Sequence, residues 1–352
     1  MSSVSKRKKW VMGLITVGLV SLLAEIVLRF VYTPLSTTAF RPFVNPEWKH
    51  DDFYEPDRDL FWRLKKNTTL KVHPPGQKPY NIPINNQGFR GEDWPRPIQE
   101  EEARVLVLGD SCVFGWGAPM GESFPERLAG YLSEATGPVD AMHAGVPGYT
   151  SFQALRLLEK WCPVYKPGWV VVYVGWNDTA PCVEKPDKEM AQLEPGWLDD
   201  SILADSRLFA LIRDFGFLVY KQLVLEKREY NRTIDWEGGA RRVSLEDFRE
   251  NLLAIARQSK ALRARVVFLT RQHAVPNALM DEYNRAIREV AAEEKALLVD
   301  AASAFSKRPS PEVFLAPETD HVHPNPEGYD LLARLTATAI QEGRESDESM
   351  NN

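Results

Sequence analysis

The sequence predicts an α/β protein of three layers, in which helices cover both faces of a parallel five-stranded sheet and one transmembrane helix precedes it. From residue 104 onward, short apolar segments alternate with longer amphipathic ones, a pattern typical of parallel sheets. The short segments lack a polar face, as expected of strands that are buried on both sides. A third observation, an apolar stretch near the N-terminus, predicts the transmembrane helix.

The main domain is predicted to span residues 101–342. Its predicted strands are Arg104–Leu108, Val139–His143, Trp169–Val174, Arg265–Leu269 and Leu297–Asp300. Its predicted helices are Ser123–Glu134, Ser151–Cys162, Leu245–Arg263, Asn277–Glu294 and Pro326–Gln341. Right-handed crossovers between parallel strands place all carboxyl ends at one edge of the sheet, where we expect the functional site.

The N-terminal segment is not typical of a globular domain. Four basic residues at 6–9 precede an apolar stretch at residues 10–32, whose length suits a membrane span of about 20 residues. Glu25 and Arg29 interrupt its last third one helical turn apart, where they can pair with each other or extend toward the membrane interface. The fully apolar part is also short enough for a signal peptide. An uncleaved signal anchor, with residues 1–9 in the cytoplasm and the rest outside, is favoured over a cleaved signal and over an anchor facing the cytoplasm.

Four further segments are predicted outside the strands and helices of the sheet. Residues 33–50 form a proline-containing linker, and residues 51–100 form a small β-rich extension that packs against the main domain. Residues 181–244 are an insertion after the third strand, read either as an extra helix on the core or as a lid or membrane-facing element. Residues 343–352 form a disordered polar tail.

Composition excludes some classes of function. A net charge of −6 over 352 residues gives no reason to expect nucleic acid as a partner. Cys112, Cys162 and Cys182 show neither metal-binding spacing nor a disulfide framework. The last two flank the predicted strand Trp169–Val174, whose length of about 20 Å argues against a bridge between them.

Ser111 is the most informative residue, because it follows the first predicted strand in a Gly-Asp-Ser turn. A serine hydroxyl becomes a nucleophile when a base removes its proton. Asp320 and His323, near the C-terminus, are close enough in sequence for one loop to supply a base and the group that orients it. The residue two after Ser111 is Val113, which excludes the Gly-x-Ser-x-Gly elbow of α/β-hydrolases.

These segments resemble the blocks of the SGNH (GDSL) hydrolase family. A Gly-Asp-Ser block with a glycine four residues on is followed by a second-block glycine, a Gly-x-Asn-Asp block and an Asp-x-x-His block. The four blocks occur in the family's order and span most of the main domain. The matching residues are Ser111 with Gly115, Gly145, Asn177 with Asp178, and Asp320 with His323.

The resemblance implies a flavodoxin-like sheet and a serine mechanism that needs no metal and no organic cofactor. It assigns Ser111 as nucleophile, His323 as base and Asp320 as the residue that orients His323. It assigns the oxyanion hole to the backbone N–H groups of Ser111 and Gly145 and to the side-chain amide of Asn177. Such donors stabilise a transition state by roughly 3–4 kcal/mol each. Glycine at 145 fits, because its N–H must approach the substrate closely.

Neighbouring polar residues are assigned to structure. Asp110 is expected to stabilise the turn, and Cys112 to pack in the core because it lacks a base of its own. His321 is the nearest alternative to His323, but the spacing from the aspartate favours His323. Both readings, lining the substrate pocket or packing as structural residues, stay open for His143, Trp116 and Trp176.

The sequence therefore predicts a membrane-anchored serine ester hydrolase that acts outside the cytoplasm on lipid esters or acylated glycans, a substrate class inferred by analogy alone. One alternative is an O-acyltransferase that uses the same serine on an envelope polysaccharide. Another is a catalytically inactive glycan-binding relative, against which the presence of all four blocks argues. The sequence predicts no oligomeric state.

Overall fold

The computed structural model describes residues 6–32, 53–57, 59–72, 79–94, 104–182, 185–192, 206–220 and 239–351. The chain divides into two compact units. The smaller unit comprises Met1–Thr38 and Ala191–Asp235, and the larger comprises Ala39–Met190 and Trp236–Asn352. The middle of the predicted insertion is thus grouped with the N-terminal segment and not with the main domain. The predicted linker at 33–50 lies outside the described residues.

Secondary-structure elements are numbered in chain order. The strands are β1 (Tyr54–Asp57), β2 (Phe61–Leu64), β3 (Thr68–Val72), β4 (Tyr80–Ile84), β5 (Arg104–Gly109), β6 (Asp140–Gly145), β7 (Trp169–Tyr173), β8 (Arg265–Leu269), β9 (Leu297–Val299), β10 (Phe314–Ala316) and β11 (Asp320–Pro324). The helices are α1 (Lys6–Val31), α2 (Ser111–Phe114), α3 (Phe124–Thr136), α4 (Ser151–Tyr165), α5 (Asp187–Met190), α6 (Arg207–Tyr220), α7 (Leu245–Ala261), α8 (Ala278–Glu293), α9 (Ala301–Ser306), α10 (Ser310–Val313) and α11 (Pro326–Asn351).

A five-stranded parallel sheet forms the centre of the larger unit. Its strand order is β6-β5-β7-β8-β9, which is the flavodoxin-like order and confirms the predicted fold class. The register aligns Gly109 with Gly145 on one side and with Tyr173 on the other. The carboxyl ends of the three strands that precede the predicted motifs therefore lie level at one edge.

Helices cover both faces of this sheet, because successive residues of a strand point to opposite sides. Leu106 and Leu108 of β5 pack in a cluster with residues of α4, α7 and α8. Val105 and Val107 pack on the other face with residues of α3, α9 and α11. Burial of each such side chain stabilises the fold by about 1.5–3 kcal/mol. The three cysteines are free, in agreement with the prediction.

The N-terminal extension forms two antiparallel hairpins, β1–β2 and β3–β4, and belongs to the same core. Phe61 stacks on Phe152 of α4 with ring centroids 5.8 Å apart. Tyr149 packs edge-on against Trp62 at 5.6 Å, and its hydroxyl donates to the Trp62 carbonyl at 2.6 Å. The extension therefore packs against the main domain, as expected.

The C-terminus differs from the prediction. The sequence predicts a disordered tail at 343–352, whereas α11 continues to Asn351. The physical reason is contact with the sheet edge. Arg265 donates to the carbonyl of Gly343 at 3.2 Å, and a Cβ on Gly343 would lie 2.8 Å from the side chain of Leu297. These contacts hold the helix against the sheet at Gly343, the first residue of the predicted tail.

The described part of the smaller unit consists of α1 and α6, which contact each other. Residues Lys8–Val31 of α1 are long and apolar enough to cross a membrane, a test that a signal sequence also passes. Helix α6 lies within the predicted insertion, and its 14 described residues extend for about 21 Å at about 1.5 Å per residue.

Candidate active site

Ser111 is the first residue of α2 and follows β5 directly. Asp110 caps this short helix, because its carboxylate accepts the N–H of Cys112 at 2.9 Å. The helix lies directly on β6, where a Cβ on Gly145 would be 2.4 Å from the backbone nitrogen of Phe114. Glycine at 145 is therefore required for packing, in addition to the role that the sequence predicts for its N–H.

His323 and Asp320 lie on β11, which pairs with β10 outside the main sheet. The Nε2 atom of His323 is 2.7 Å from Ser111 Oγ, and its Nδ1 atom is 2.6 Å from Asp320 Oδ2. An Nδ1–H donated to the carboxylate leaves Nε2 to accept the serine proton. The structure thus brings the three predicted catalytic residues into one chain of hydrogen bonds.

The carboxyl group of Asp320 is held in its ionised form. Burial opposes ionisation, but the hydrogen bond and charge of His323 and the backbone N–H groups of Val322 and His323 outweigh it, so the pKa of Asp320 is lower than usual. His321 instead forms a hydrogen bond through Nδ1 with the carbonyl of Pro317 at 2.8 Å. The geometry therefore favours His323 over His321 as the base.

Asn177 follows the end of β7 beside the Gly-Asp-Ser turn. Its Nδ2 donates to the carbonyl of Tyr149 at 3.0 Å and to Asp110 Oδ2 at 3.3 Å. The first contact fixes the orientation of the amide, and the second connects it with the residue before Ser111. The structure thus places the amide at the same sheet edge as Gly145.

Asp178 is fully buried next to Asn177. Its Oδ1 accepts the backbone N–H of Ser151 at 2.9 Å and the hydroxyl of Ser151 at 2.5 Å. Its Oδ2 has no hydrogen-bond partner among the described residues. Burial raises the pKa of the Asp178 carboxyl to about 7, because loss of hydration outweighs the two bonds from Ser151.

We expect Asp178→Asn to remove a pH-dependent loss of stability. The pKa of Asp178 is about 7 in the folded state against an ordinary 3.8. Its protonated form therefore contributes stability fully below the lower value, and this contribution is lost as pH rises through the higher one. The wild type should lose on the order of 2–4 kcal/mol of unfolding free energy relative to the variant across this window. Urea unfolding at several pH values measures it, with the exposed Glu282→Gln as control. Parallel curves for wild type and Asp178→Asn would contradict the expectation.

Arg271 lies completely buried behind the Gly-Asp-Ser turn, just after β8. Its guanidinium is 3.3 Å from Asp110 Oδ2 and donates to Cys112 Sγ at 3.1 Å, while its Cζ lies 4.0 Å from the ring centre of Tyr173. Burial raises the pKa of the Cys112 thiol to about 12, which supports its assignment as a packing residue.

We expect Arg271→Met to destabilise the protein and to slow turnover. The change leaves the Asp110 carboxylate buried without its cation, which costs about 3–5 kcal/mol. Because Asp110 also contacts Asn177, a shift of the turn should lower kcat by about tenfold to a hundredfold with little change in KM. Urea unfolding and steady-state kinetics measure both effects, with the exposed Arg285→Met as matched control. Equal stability and kcat in Arg271→Met and Arg285→Met would refute the role of the buried pair.

Gln272, the neighbour of Arg271, supports the other half of the site. Its Nε2 donates to the carbonyl of Val322 at 2.9 Å, between Asp320 and His323 in the chain. Its Oε1 accepts the hydroxyl of Tyr173. Adjacent residues after β8 therefore hold the serine turn and the histidine hairpin to the same sheet. No motif in the sequence indicates either residue.

Arg90 connects the N-terminal extension to the site and was also missed by sequence reasoning. It is 1% exposed, and its guanidinium donates to four backbone carbonyls at the end of α2 and in the loop that follows it. The acceptors are Phe114 at 3.2 Å, Gly115 at 3.1 Å, Ala118 at 3.0 Å and Pro119 at 2.7 Å. The extension thus fixes the loop immediately downstream of the predicted nucleophile.

Three residues whose roles the sequence left open are also placed. His143 is buried, and burial lowers its pKa to about 4. The charge of Glu126 raises this pKa and that of Arg90 lowers it further, but burial has the largest effect. A neutral ring favours a structural role. Trp116 is half-buried with its ring centroid 6.1 Å from that of His323, so it lies beside the site. Trp176 is half-buried and packs against both core clusters.

With this geometry established, comparison with known proteins defines the class. Residues 107–331 match the model of the GDSL-like lipase/acylhydrolase family, which is more than half of the chain. The protein is a hydrolase that acts on ester bonds. The chain belongs to the SGNH/GDSL hydrolases, as its motifs predict.

Individual relatives are distant. An acetylxylan esterase from Geobacillus stearothermophilus is 23% identical over 248 residues, covering 66% of this chain and 90% of that protein. Among solved structures, the lipase/acylhydrolase from Enterococcus faecalis aligns with a TM-score of 0.46 at 20% identity, over 68% of this chain and 96% of that one. A catalytic mutant of Axe2, an acetylxylan esterase from Geobacillus stearothermophilus, aligns with a TM-score of 0.45 at 19% identity, over 69% and 96%.

Proposed function

We propose that this esterase works by a serine mechanism in which Ser111 is the nucleophile, His323 the general base and Asp320 the residue that orients His323. The observation that carries the proposal is the continuous hydrogen-bonded chain from Asp320 through His323 to Ser111, with contacts of 2.6 Å and 2.7 Å. A hydroxyl bonded to an imidazole whose other nitrogen is bonded to a carboxylate is the arrangement that activates serine.

The reaction proceeds in two halves. Ser111 Oγ attacks the ester carbonyl carbon while its proton passes to His323 Nε2, and the tetrahedral intermediate then collapses with loss of the alcohol, which receives that proton. Water, deprotonated by His323, attacks the carbonyl of the acyl-enzyme; the bond between the acyl carbon and Ser111 Oγ then breaks, His323 returns the proton to Oγ, and the acid leaves. The ionised Asp320 stabilises the imidazolium in both halves, consistent with its lowered pKa.

The oxyanion of each intermediate would be bound by the backbone N–H groups of Ser111 and Gly145 and by the amide of Asn177. The amide of Asn177 holds one contact with Tyr149 at 3.0 Å and a longer one with Asp110 at 3.3 Å. The developing oxyanion would compete with Asp110 for the N–H that the Asn177 amide donates in the longer contact. The position of Ser111 at a helix start also favours negative charge.

The substrates we propose are lipid esters or acylated glycans. The acetylxylan esterase among the relatives supports an acylated glycan, and the acylhydrolase description of the family supports a lipid. Trp116 beside His323 offers an aromatic surface on which either a sugar ring or an acyl chain can pack.

The location we propose is the outer face of a membrane, with α1 as an uncleaved signal anchor. Its apolar residues are exposed along the helix, with Leu14 at 70% and Leu23 at 64%. Basic residues at 6–9 form its first turn, ahead of its apolar part, which favours an N-terminus in the cytoplasm and a catalytic unit outside.

A serine-directed probe tests the mechanism. The full-length protein in detergent is treated with a fluorophosphonate, and the adduct is mapped by mass spectrometry, which should find it on Ser111. A parallel assay with p-nitrophenyl acetate, butyrate and octanoate gives the preferred acyl length, which separates a deacetylase from a lipase-like enzyme. A folded protein that neither reacts with the probe nor turns over any ester would refute the mechanism.

A further inference from the structure

A carboxylate interrupts the apolar helix α1 at Glu25. This residue lies six positions before the end of α1 at Val31, or about 9 Å along the axis. An ionisable group within a membrane helix is costly unless partners satisfy it. The partners of Glu25 therefore indicate which other part of the chain lies at the same depth in the membrane.

Glu25 caps the start of α6. Its Oε2 accepts the Ser206 hydroxyl at 2.9 Å and the Leu208 N–H at 2.9 Å, and its Oε1 accepts the Arg207 N–H at 3.0 Å. Its Oε1 also accepts from Arg29 Nε at 3.0 Å. The first N–H groups of a helix have no partner within the helix, and its N-terminus attracts negative charge. Glu25 thus serves as the N-terminal cap of a helix from a distant part of the chain.

The packing of α1 agrees with this contact. From residue 8 to Val31, its half-buried residues lie on one stripe with helical spacing, and the others are exposed. The stripe consists of Ser21, Ala24, Glu25 and Leu28. Between Trp10 and Val31, the exposed residues of α1 are apolar apart from Thr16 and Arg29, and this surface is available to lipid.

Helix α6 carries an apolar stripe of its own. Leu208, Leu211, Ile212 and Phe215 recur with the spacing of one helical face, and the last three are 36%, 62% and 67% exposed. The 14 described residues of α6 extend for about 21 Å, less than the roughly 30 Å hydrocarbon core of a bilayer. A short helix with one apolar face is typical of elements that lie in a membrane interface.

We propose that α6 is a second membrane-bound element, which lies at the boundary between headgroups and acyl chains of a phospholipid bilayer with its Leu211, Ile212 and Phe215 face in the lipid. Glu25 fixes its start to α1. The proposal rests on the membrane anchoring by α1 proposed above. Lipid is the occupant we assign, because the apolar stripe of α6 belongs to the same unit as the apolar surface of α1, and Glu25 joins the two at one depth.

Lipid quenching of a fluorophore tests the proposal in the full-length protein. Single cysteines at Ile212 and Phe215 are labelled with nitrobenzoxadiazole in a Cys182→Ser background, since Cys112 and Cys162 are buried. The protein is reconstituted in phosphatidylcholine vesicles with or without brominated acyl chains. Val20→Cys on α1 is the positive control, and Val164→Cys, at an exposed position of α4, is the negative one.

Brominated lipid should lower the fluorescence at Ile212 and Phe215 about twofold or more, as at Val20, and leave Val164 unchanged. Emission at Ile212 and Phe215 that matches Val164, while Val20 is quenched, would overturn the proposal and leave the anchor in place. Unquenched emission at Val20 would overturn the anchor and the proposal together.

The role of Glu25 has its own comparison. Glu25→Ala removes the acceptor for three donors at the start of α6, so quenching at Phe215 should fall while quenching at Val20 persists. Thr16→Ala, at an exposed position of the same helix, is the matched control and should leave Phe215 quenched. Full quenching at Phe215 in Glu25→Ala would overturn the assignment of Glu25 as the residue that fixes the start of α6 to α1.

Discussion

Ser111→Ala is expected to reduce ester hydrolysis by roughly a millionfold, the scale on which removal of a nucleophile acts in other serine hydrolases. The variant keeps the backbone N–H groups proposed for the oxyanion hole, which give a slow background rate. The Ser111 hydroxyl bonds to His323, at a half-buried position, so its loss should leave the unfolding temperature within a few degrees of the wild type. Turnover of a p-nitrophenyl ester and thermal unfolding measure the two quantities.

Ser310→Ala is the matched control for this change. Ser310 is a half-buried serine at the start of α10, and its hydroxyl donates to the carbonyl of Ala274 at 3.4 Å. The control should keep the wild-type rate. Substantial turnover by Ser111→Ala would show that another group attacks the ester.

His323→Ala is expected to cause a loss of similar size, because a serine without its base attacks esters very slowly. His321→Ala should keep most of the activity, since its ring is bonded to the carbonyl of Pro317 and not to the serine. The two residues are two positions apart on β11, so the pair separates a catalytic effect from damage to the strand. Steady-state kinetics on the two variants measures the difference.

The opposite result would reassign the base. If His321→Ala were inactive and His323→Ala retained turnover, the contact of 2.7 Å between His323 and Ser111 would not be the productive one. Unfolding curves for both variants show whether either change disturbs the hairpin.

The central sheet could be predicted because its signals are local. β8 runs from Arg265 to Leu269 as predicted, since the apolar run begins and ends there. β9 is one residue shorter than predicted, because Asp300 leaves the strand to cap α9 through the N–H of Ser303. Helix α4 continues past Cys162 to Tyr165, whose ring is buried. Such end effects depend on capping and packing that hydrophobic periodicity does not report.

The candidate site shows the same difference between features with a local sequence signal and features without one. The residues proposed for chemistry lie in short motifs at strand ends, so their meeting at one edge follows from the parallel topology. The residues that support them do not. Arg271, Gln272 and Arg90 each act on a segment far away in the chain, and an isolated arginine or glutamine gives no sign of its partners.

The insertion shows a third kind of limit. The sequence offered a packed helix, a lid or a membrane-facing element for 181–244, and the hydrogen bonds of Glu25 to Arg207 and Leu208 place α6 with the N-terminal helix. Glu25 and Arg29 do pair, at 3.0 Å, as their spacing predicts. The same carboxylate also accepts the N–H of Arg207, 182 residues away at the start of α6, and no local sequence pattern predicts this contact.

The contacts of Arg90 indicate that the segment needed for folding is longer than the segment that carries the family motifs. The family match begins at residue 107, yet Phe53 packs against Phe114 at 6.0 Å, and Arg90 holds the carbonyls that follow it. A fragment that begins at residue 107 would keep every motif but would lose the contacts of Phe53 and Arg90 that support the segment after Ser111. The shortest piece of this chain suited to biochemical work therefore starts ahead of Phe53.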